Sequence, residues 1–176
     1  MIEYENNIPH MYLDTYGKVT VGVGHLIKTA QDAQKLPFVD EKKIKATPEA
    51  IKAGFENVKK QLKNMKASYY KKYTKLTLNP TDIDQMLEKH IASFHKEIKI
   101  VFPEFDTFPS EVRLALLDII FNVGMTDLRT GWTKMKAAIK AKNWMEAGKE
   151  SRRKPPIPTD RNDYVRKLFE KAAKKP

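Results

Sequence analysis

The N-terminal stretch Glu5–His25 reads ENNIPHMYLDTYGKVTVGVGH, and its central part predicts a β-hairpin within residues 11–24. We expect strands at about 11–15 and 19–23, joined by a turn around residues 16–18. Side chains alternate between the two faces of a strand, so one face carries the large apolar residues Met11, Leu13, Val19, Val21 and Val23. The opposite face carries the polar or small residues Tyr12, Asp14, Thr20, Gly22 and Gly24.

The polar face of this hairpin collects groups that can act on a glycosidic bond. Asp14 and Thr20 would lie on opposite strands near the turn, and the loop at residues 6–9 would return Glu5 to the same face. A glycosidase needs one protonated carboxyl as acid and one ionised carboxylate as base or nucleophile. Apolar surroundings would suit Glu5 to the first role, and a neighbouring hydroxyl would suit Asp14 to the second. The residues alone also permit an ordinary surface glutamate and an aspartate with a turn role.

Two helices that begin at proline follow the hairpin. Thr47 precedes Pro48, a pattern typical of an N-cap followed by the first helical residue. Apolar residues then recur at every third or fourth position, which predicts one amphipathic basic helix over about 48–73. Asn79 and Pro80 give the same start signal for a connector helix over about 80–100. The buried stripe expected of the first helix consists of Ile51, Phe55, Val58, Leu62, Met65, Tyr69 and Tyr73.

The last third of the chain also predicts helices. The segment 110–123 is apolar on most sides and is expected to form a central helix, with Gly124 as its C-terminal cap. Shorter helices are expected near 132–141 and 144–152, and Asp160 could cap a last helix that runs through Lys171.

Together these elements predict a fold of class α+β, mainly α, in a single domain over residues 1–176. An N-terminal lobe of about 1–79 would contain the hairpin and the basic helix. The connector helix would lead to a helical C-terminal lobe of about 101–176.

Composition limits the possible chemistry. The 176 residues contain no cysteine, which excludes disulfides, thiolate nucleophiles and zinc–thiolate sites. His90 and His95 are five residues apart, a spacing that separates them around a helix, so no metal is expected. No apolar run approaches the ~20 residues of a membrane helix, and the N-terminus does not resemble a signal peptide.

Positive charge is concentrated in one part of the chain. The formal net charge is +11, from 33 Lys and Arg against 22 Asp and Glu. The stretch 42–75 is rich in lysine, has Glu49 and Glu56 as its acidic residues, and contains no arginine. A solvated helix face explains this composition. Adhesion to anionic cell-wall polymers or to a membrane surface is the functional alternative, and nucleic acid is a third.

Three segments resemble the phage-type lysozymes, glycoside hydrolase family 24. The first places Glu5, Asp14 and Thr20 in a pattern that ends in DT-x-G-x-x-T-x-G-x-G-H. The second is ALLDIIFNVG at 115–124, which is similar to the family's central C-lobe helix. The third is SRRKPPIPTDRNDYVRKLFEKA at 151–172, which resembles the family's closing segment of arginines before the last helix.

This resemblance implies a two-lobed lysozyme-like fold and a muramidase. Such an enzyme cleaves the β-1,4 bond between N-acetylmuramic acid and N-acetylglucosamine in peptidoglycan and needs no cofactor. Glu5 would be the general acid, Asp14 would position or activate water, and Thr20 would hold that water. In the T-even phage members of the family the outcome is inversion.

The resemblance also implies roles for residues outside the hairpin pattern. Leu26, Phe121 and Asn122 would line the cleft between the lobes, with Arg152 as a less certain substrate contact. Arg161 would pair with Glu5 and hold its orientation. His25 is expected to have a structural role, since partly buried histidines usually serve as satisfied polar groups.

The chain departs from the family pattern in two places. Four residues precede Glu5, and the stretch Ile27–Thr77 is longer than the plain phage enzymes suggest. An elaborated lobe of this kind resembles the lysozyme-like toxin domains of pesticin-type bacteriocins and of type VI secretion effectors. Whether it is an endolysin or a toxin domain, the chain would act in the periplasm or cell wall of a target bacterium as a delivered monomer, and as an effector it would have an immunity protein as a partner. The competing class is a basic module that binds cell wall or nucleic acid without catalysis.

Overall fold

The computed structural model describes residues 7–175, and these are mainly helical with one small antiparallel sheet. The predicted fold class, α+β and mainly α, is therefore confirmed. The chain forms two compact units: the first ends at Glu88 and the second begins at Lys89. This boundary falls inside a long helix. Each unit has its own hydrophobic core. No helix among the described residues is long and apolar enough to cross a membrane.

The sheet has three strands in the order β1 (Ile8–Leu13), β2 (Val19–Gly22) and β3 (His25–Leu26). Tyr12 pairs with Thr20, whereas Ile8 pairs with Gly22, so β1 contains an irregularity between these two pairs. Met11, Leu13, Val19 and Val21 are buried as predicted. Val23, which was expected on the same face, lies beyond β2 and is half buried. The opposite face of β2 is buried too, at Thr20 and Gly22.

The predicted strand limits need correction. The first strand begins at Ile8 instead of residue 11 and ends before Asp14. The second ends at Gly22, where a φ of 64° turns the chain into the third strand, which was not predicted. A side chain at this position would also crowd Ile83, whose Cγ2 lies 3.1 Å from an added Cβ.

The predicted basic helix over 48–73 is wrong, because the structure divides it. After α1 (Ala30–Gln34), helix α2 (Pro48–Lys59) begins as predicted, with the Thr47 hydroxyl accepting the Ala50 N–H. A short α3 (Ala67–Tyr70) and a 3-10 turn (Lys71–Tyr73) follow only after a loop. In that loop Asn64 has a φ of 63°, which helices do not contain.

Tertiary contacts explain this break. The Tyr70 hydroxyl donates to the Leu62 carbonyl (2.6 Å), which holds the loop against the start of the second segment. His10 of β1 makes a hydrogen bond through Nε2 with the Ala67 carbonyl (2.8 Å). Tyr70 is thereby fully buried, while Leu62 and Met65 of the predicted apolar stripe remain exposed.

Helix α4 (Pro80–Val101) agrees with the predicted connector helix within a residue. Helix α5 (Ser110–Thr130) runs past the predicted end at Gly124. Gly124 nevertheless interrupts the helix, since its φ of 81° and ψ of 168° are not helical. An added Cβ there would meet no atom within 4 Å, so backbone conformation alone explains the glycine.

Three further helices complete the second unit: α6 (Thr133–Lys140), α7 (Trp144–Glu150) and α8 (Thr159–Ala173). The predicted cap at Asp160 is wrong, because Pro158 occupies the N-cap position and Asp160 lies in the first turn. The core of this unit is formed mainly by α5 and α8, with buried side chains such as Leu116, Ile120 and Phe169.

Candidate active site

The turn between β1 and β2 is closed by the carboxylate of Asp14. Its Oδ1 accepts the backbone N–H groups of Tyr16 (2.9 Å) and Lys18 (2.8 Å). The Asp14 N–H donates to the Lys18 carbonyl (2.9 Å), and the Gly17 N–H donates to the Asp14 carbonyl (2.9 Å). The expectation that Asp14 lies within a strand is therefore wrong, and it is a turn residue one position beyond β1.

Thr20 lies on β2 and is 3% exposed. It lies opposite β1 near the turn, as expected, and its direct cross-strand partner is Tyr12. The Thr20 hydroxyl donates to the Lys18 carbonyl (3.1 Å).

Lys18 connects the two predicted side chains through its backbone. Its N–H binds the Asp14 carboxylate, and its carbonyl accepts the Thr20 hydroxyl. Asp14 is half exposed, and no donor among residues 7–175 binds its second oxygen, Oδ2. The turn thus holds one carboxylate oxygen in place and leaves the other for a solvent molecule.

Asp40 forms a turn with the same hydrogen bonds. Its Oδ1 accepts the N–H groups of Lys42 (2.8 Å) and Ile44 (2.9 Å). The Asp40 N–H donates to the Ile44 carbonyl (2.9 Å), and Lys43, with a φ of 62°, takes the position that Gly17 has in the first turn. The arrangement around Asp14 is therefore a turn that this chain uses twice, and it does not by itself indicate catalysis.

Glu5, the predicted acid, lies outside the described residues. The predicted pairing of Glu5 with Arg161 lies outside them for the same reason. The distance between the Glu5 and Asp14 carboxyls distinguishes inversion from retention. It involves Glu5 and therefore also lies outside the described part of the chain.

Leu26 and His25 both lie on β3. Leu26 pairs with Thr20 in the sheet and is 36% exposed. It helps to line an open cavity of about 340 Å³, together with the turn residues Gly17 and Lys18. The side chain of His25 is half buried, and its structural role stays a prediction.

A buried charged cluster in the second unit centres on Asp118 of α5, which is 0% exposed. Arg153 Nη1 donates to Asp118 Oδ1 (2.6 Å), and Arg161 donates through Nε (3.3 Å) and Nη2 (3.1 Å) to the same carboxylate. Asn162 Oδ1 accepts both the backbone N–H and Nε of Arg153 (3.0 Å each), and Arg153 Nη2 donates to the Arg161 carbonyl (3.0 Å).

Burial and the carboxylate act on Arg153 in opposite directions. Burial lowers the pKa of its guanidinium from the usual value, while the contact with Asp118 raises it. Because each guanidinium nitrogen of Arg153 donates a hydrogen bond, the cluster stabilises one orientation of this side chain and of the neighbouring Arg161.

Phe121 and Asn122 lie one helical turn from this cluster. Asn122 Nδ2 donates to the Asp118 carbonyl (2.6 Å), which ties the amide to its own helix. Phe121 is half buried and makes an edge-to-face contact with Phe94 of α4, with ring centroids 5.8 Å apart. Their predicted contact with substrate is not tested by these interactions.

Arg152 has different surroundings from its neighbour Arg153. It is exposed and helps to line a polar cavity of about 240 Å³ between α7 and α8. Sequence reasoning singled out Arg152 and missed both Arg153 and Asp118. An aspartate within the apolar segment ALLDIIFNVG was the available signal, since a buried carboxylate requires a partner.

The described residues offer no cluster of three or more histidine, aspartate or glutamate side chains that could hold a metal ion.

The chain matches no model of a known protein family and no curated protein at a significant level.

Proposed function

We propose that this protein is a peptidoglycan muramidase that hydrolyses the β-1,4 bond between N-acetylmuramic acid and N-acetylglucosamine. The observation that carries the proposal is the pattern of Glu5, Asp14 and Thr20 in the sequence, of which Asp14 and Thr20 are linked through Lys18. The glycan strands of a bacterial cell wall are the proposed substrate, and the wall is the proposed place of action.

In this mechanism Glu5 donates a proton to the glycosidic oxygen while a water molecule attacks the anomeric carbon. Asp14 removes a proton from that water through Oδ2, since Oδ1 already accepts two backbone N–H groups. The Thr20 hydroxyl donates its proton to the Lys18 carbonyl, so its lone pairs are available to accept a hydrogen bond from the same water. The two carboxyls and water suffice for the reaction, without a cofactor.

Arg161 is the proposed positioning residue for Glu5. The guanidinium of Arg161 is held in place because it donates to both oxygens of Asp118 at 3.1–3.3 Å. A cation beside a carboxyl favours its ionised form, so Arg161 would stabilise the negative charge that Glu5 acquires when it donates its proton.

The test is lysis of purified peptidoglycan by the full chain and by Glu5→Gln, followed as loss of turbidity. Removing the acid should lower the rate by about 10²–10⁴-fold, the usual contribution of general acid–base catalysis. Glu3→Gln is the matched control, because it removes the same charge two residues away and should lyse walls like the wild type. Equal lysis by the Glu5 variant and the wild type would disprove the assignment of the acid.

A second candidate function is a basic module that binds without catalysis. The specific observation in its favour is the run of exposed lysines along α2 and the loop after it, among them Lys52, Lys59, Lys60 and Lys63. If the wild type lyses no walls but adsorbs to them in low salt and dissociates as salt increases, this function replaces the muramidase.

A further inference from the structure

The hairpin turn and the loop after α2 form one surface patch in the first unit. Gly17 packs against Lys63, whose Cβ and Cδ both lie 3.6 Å from the position of an added Cβ. Gly17 and Lys18 of the turn also share a cavity of about 340 Å³ with Lys28 and with Lys59 of α2. We call this patch, formed by residues 15–18, Lys28 and residues 59–66, the turn surface.

The turn surface is strongly basic. Its lysines are all exposed: Lys18, Lys28, Lys59, Lys60, Lys63 and Lys66. Among residues 7–175, no carboxylate forms an ion pair with any of these six lysines. Asp14 is the acidic residue beside the turn, and its Oδ1 is occupied by backbone N–H groups. The surface therefore complements an anionic partner.

The same surface exposes large apolar side chains. Tyr16 is 63% exposed at the tip of the turn, and Leu62, next to Lys63, is 69% exposed. The cavity beside Gly17 and Lys18 also has apolar walls, contributed by Val19, Ile27 and Phe55. The Lys18 ammonium lies 5.9 Å from the Tyr16 ring centre, so charge and apolar area are interleaved.

The combination of exposed lysines with exposed apolar side chains indicates which kind of partner the turn surface fits. A hydrated anionic polymer offers no apolar region that could bury a leucine such as Leu62, whereas a bilayer offers both phosphates for lysine and an apolar boundary for aromatic and leucine side chains. We propose that the turn surface docks the protein on an anionic lipid bilayer. The inference goes beyond the proposed muramidase activity and does not depend on it.

The experiment is co-sedimentation of the full chain with vesicles at low salt. Vesicles containing phosphatidylglycerol should retain the protein, and vesicles of phosphatidylcholine alone should not. Lys59→Gln combined with Lys63→Gln should weaken partitioning roughly 30-fold, since each lysine at an anionic surface contributes ~1 kcal/mol. Leu62→Gln should weaken it about tenfold through the loss of apolar burial.

The matched control is Lys167→Gln combined with Lys174→Gln, which removes the same charge from exposed positions of α8 and of the residue directly after it. This pair should bind vesicles nearly as well as the wild type, and circular dichroism melting should show that all variants fold. Equal binding to both vesicle types, or an equal loss in the control pair, would overturn the proposal. Unchanged binding of Leu62→Gln would overturn it too, because the contact would then be purely electrostatic.

Discussion

At the scale of single residues, Asp14 and Asp40 make the same set of hydrogen bonds within their turns. Both accept two backbone N–H groups through Oδ1 at 2.8–2.9 Å, and both close a five-residue turn. They differ in their neighbours along the chain, because only the Asp14 turn leads to the buried hydroxyl of Thr20 through Lys18. Substitutions at the two positions can therefore distinguish a catalytic requirement for the Asp14 carboxylate from a structural one.

Asp14→Asn should lower the rate of wall lysis by about 10²–10⁴-fold and leave the fold intact. Asparagine keeps an Oδ1 that can accept the two N–H groups of the turn, but it cannot take a proton from water at neutral pH. Turbidity assays give the rate, and circular dichroism melting checks folding.

Asp40→Asn is the control for this substitution, since it changes the same atoms in a turn with the same hydrogen bonds. Its lysis rate should equal that of the wild type. If both variants lose activity in proportion to lost stability, Asp14 acts through the turn and has no catalytic role.

At the scale of elements, the connection from α6 to α7 shows a helix end with an unfavourable residue. The Asn143 N–H donates to the Ala138 carbonyl (2.9 Å) and the Lys142 N–H to the Ile139 carbonyl (2.9 Å), which is the Schellman pattern. Lys142 occupies its left-handed position with a φ of 55°. Glycine is the residue that this position favours.

Lys142→Gly should stabilise the protein by about 0.5–1 kcal/mol. The substitution relieves the cost of the left-handed conformation, and the extra entropy of glycine in the unfolded chain offsets part of this gain. Urea unfolding measures the change. Ala141→Gly is the matched control and should destabilise, because Ala141 has a φ of −79° and gains nothing from glycine; stabilisation by both would contradict the argument.

At the scale of the whole molecule, the dependence of stability on pH should reflect the carboxyl of Glu111. This group, at the start of α5, forms ion pairs with lysines at the end of α8. Glu111 Oε1 lies 2.6 Å from the Lys175 ammonium and 3.6 Å from that of Lys171, and Oε2 accepts the Ser110 hydroxyl (3.1 Å). The hydrogen bond from Lys175 is the main cause that lowers the pKa of Glu111 from 4.5 to about 2.

A carboxyl whose pKa is lower in the folded state stabilises fully above its unfolded pKa and loses this effect as pH falls through the folded value. The advantage of the wild type over Lys175→Met should therefore be constant above about pH 4.5 and shrink towards pH 2. Thermal unfolding at a series of pH values measures it. Lys174→Met, which alters an exposed lysine at the same helix end, should show no such trend; a trend of equal size in both variants would rule out this role for Glu111.

Much of the fold follows from local sequence patterns. The alternation in the hairpin predicted the buried face of β1 and β2, and the Thr47–Pro48 pair predicted the start of α2. The limits of α4 were predicted within a residue. These features depend on side chains a few positions apart, so the spacing of apolar residues and the residues that cap helices determine them.

The remaining features required the tertiary structure, because they depend on partners distant in sequence. The 48–73 segment keeps a helical period throughout, yet contacts of Tyr70 and His10 stabilise a broken arrangement. Asp118 meets Arg153 and Arg161 across 35 and 43 residues, a pairing that no local pattern indicates. The sequence by itself therefore determined the fold class, the starts of α2 and α4 and the choice of proposed catalytic residues. The tertiary structure alone decided that the helical period of residues 48–73 is broken and that Arg153 is buried while Arg152 remains in solvent.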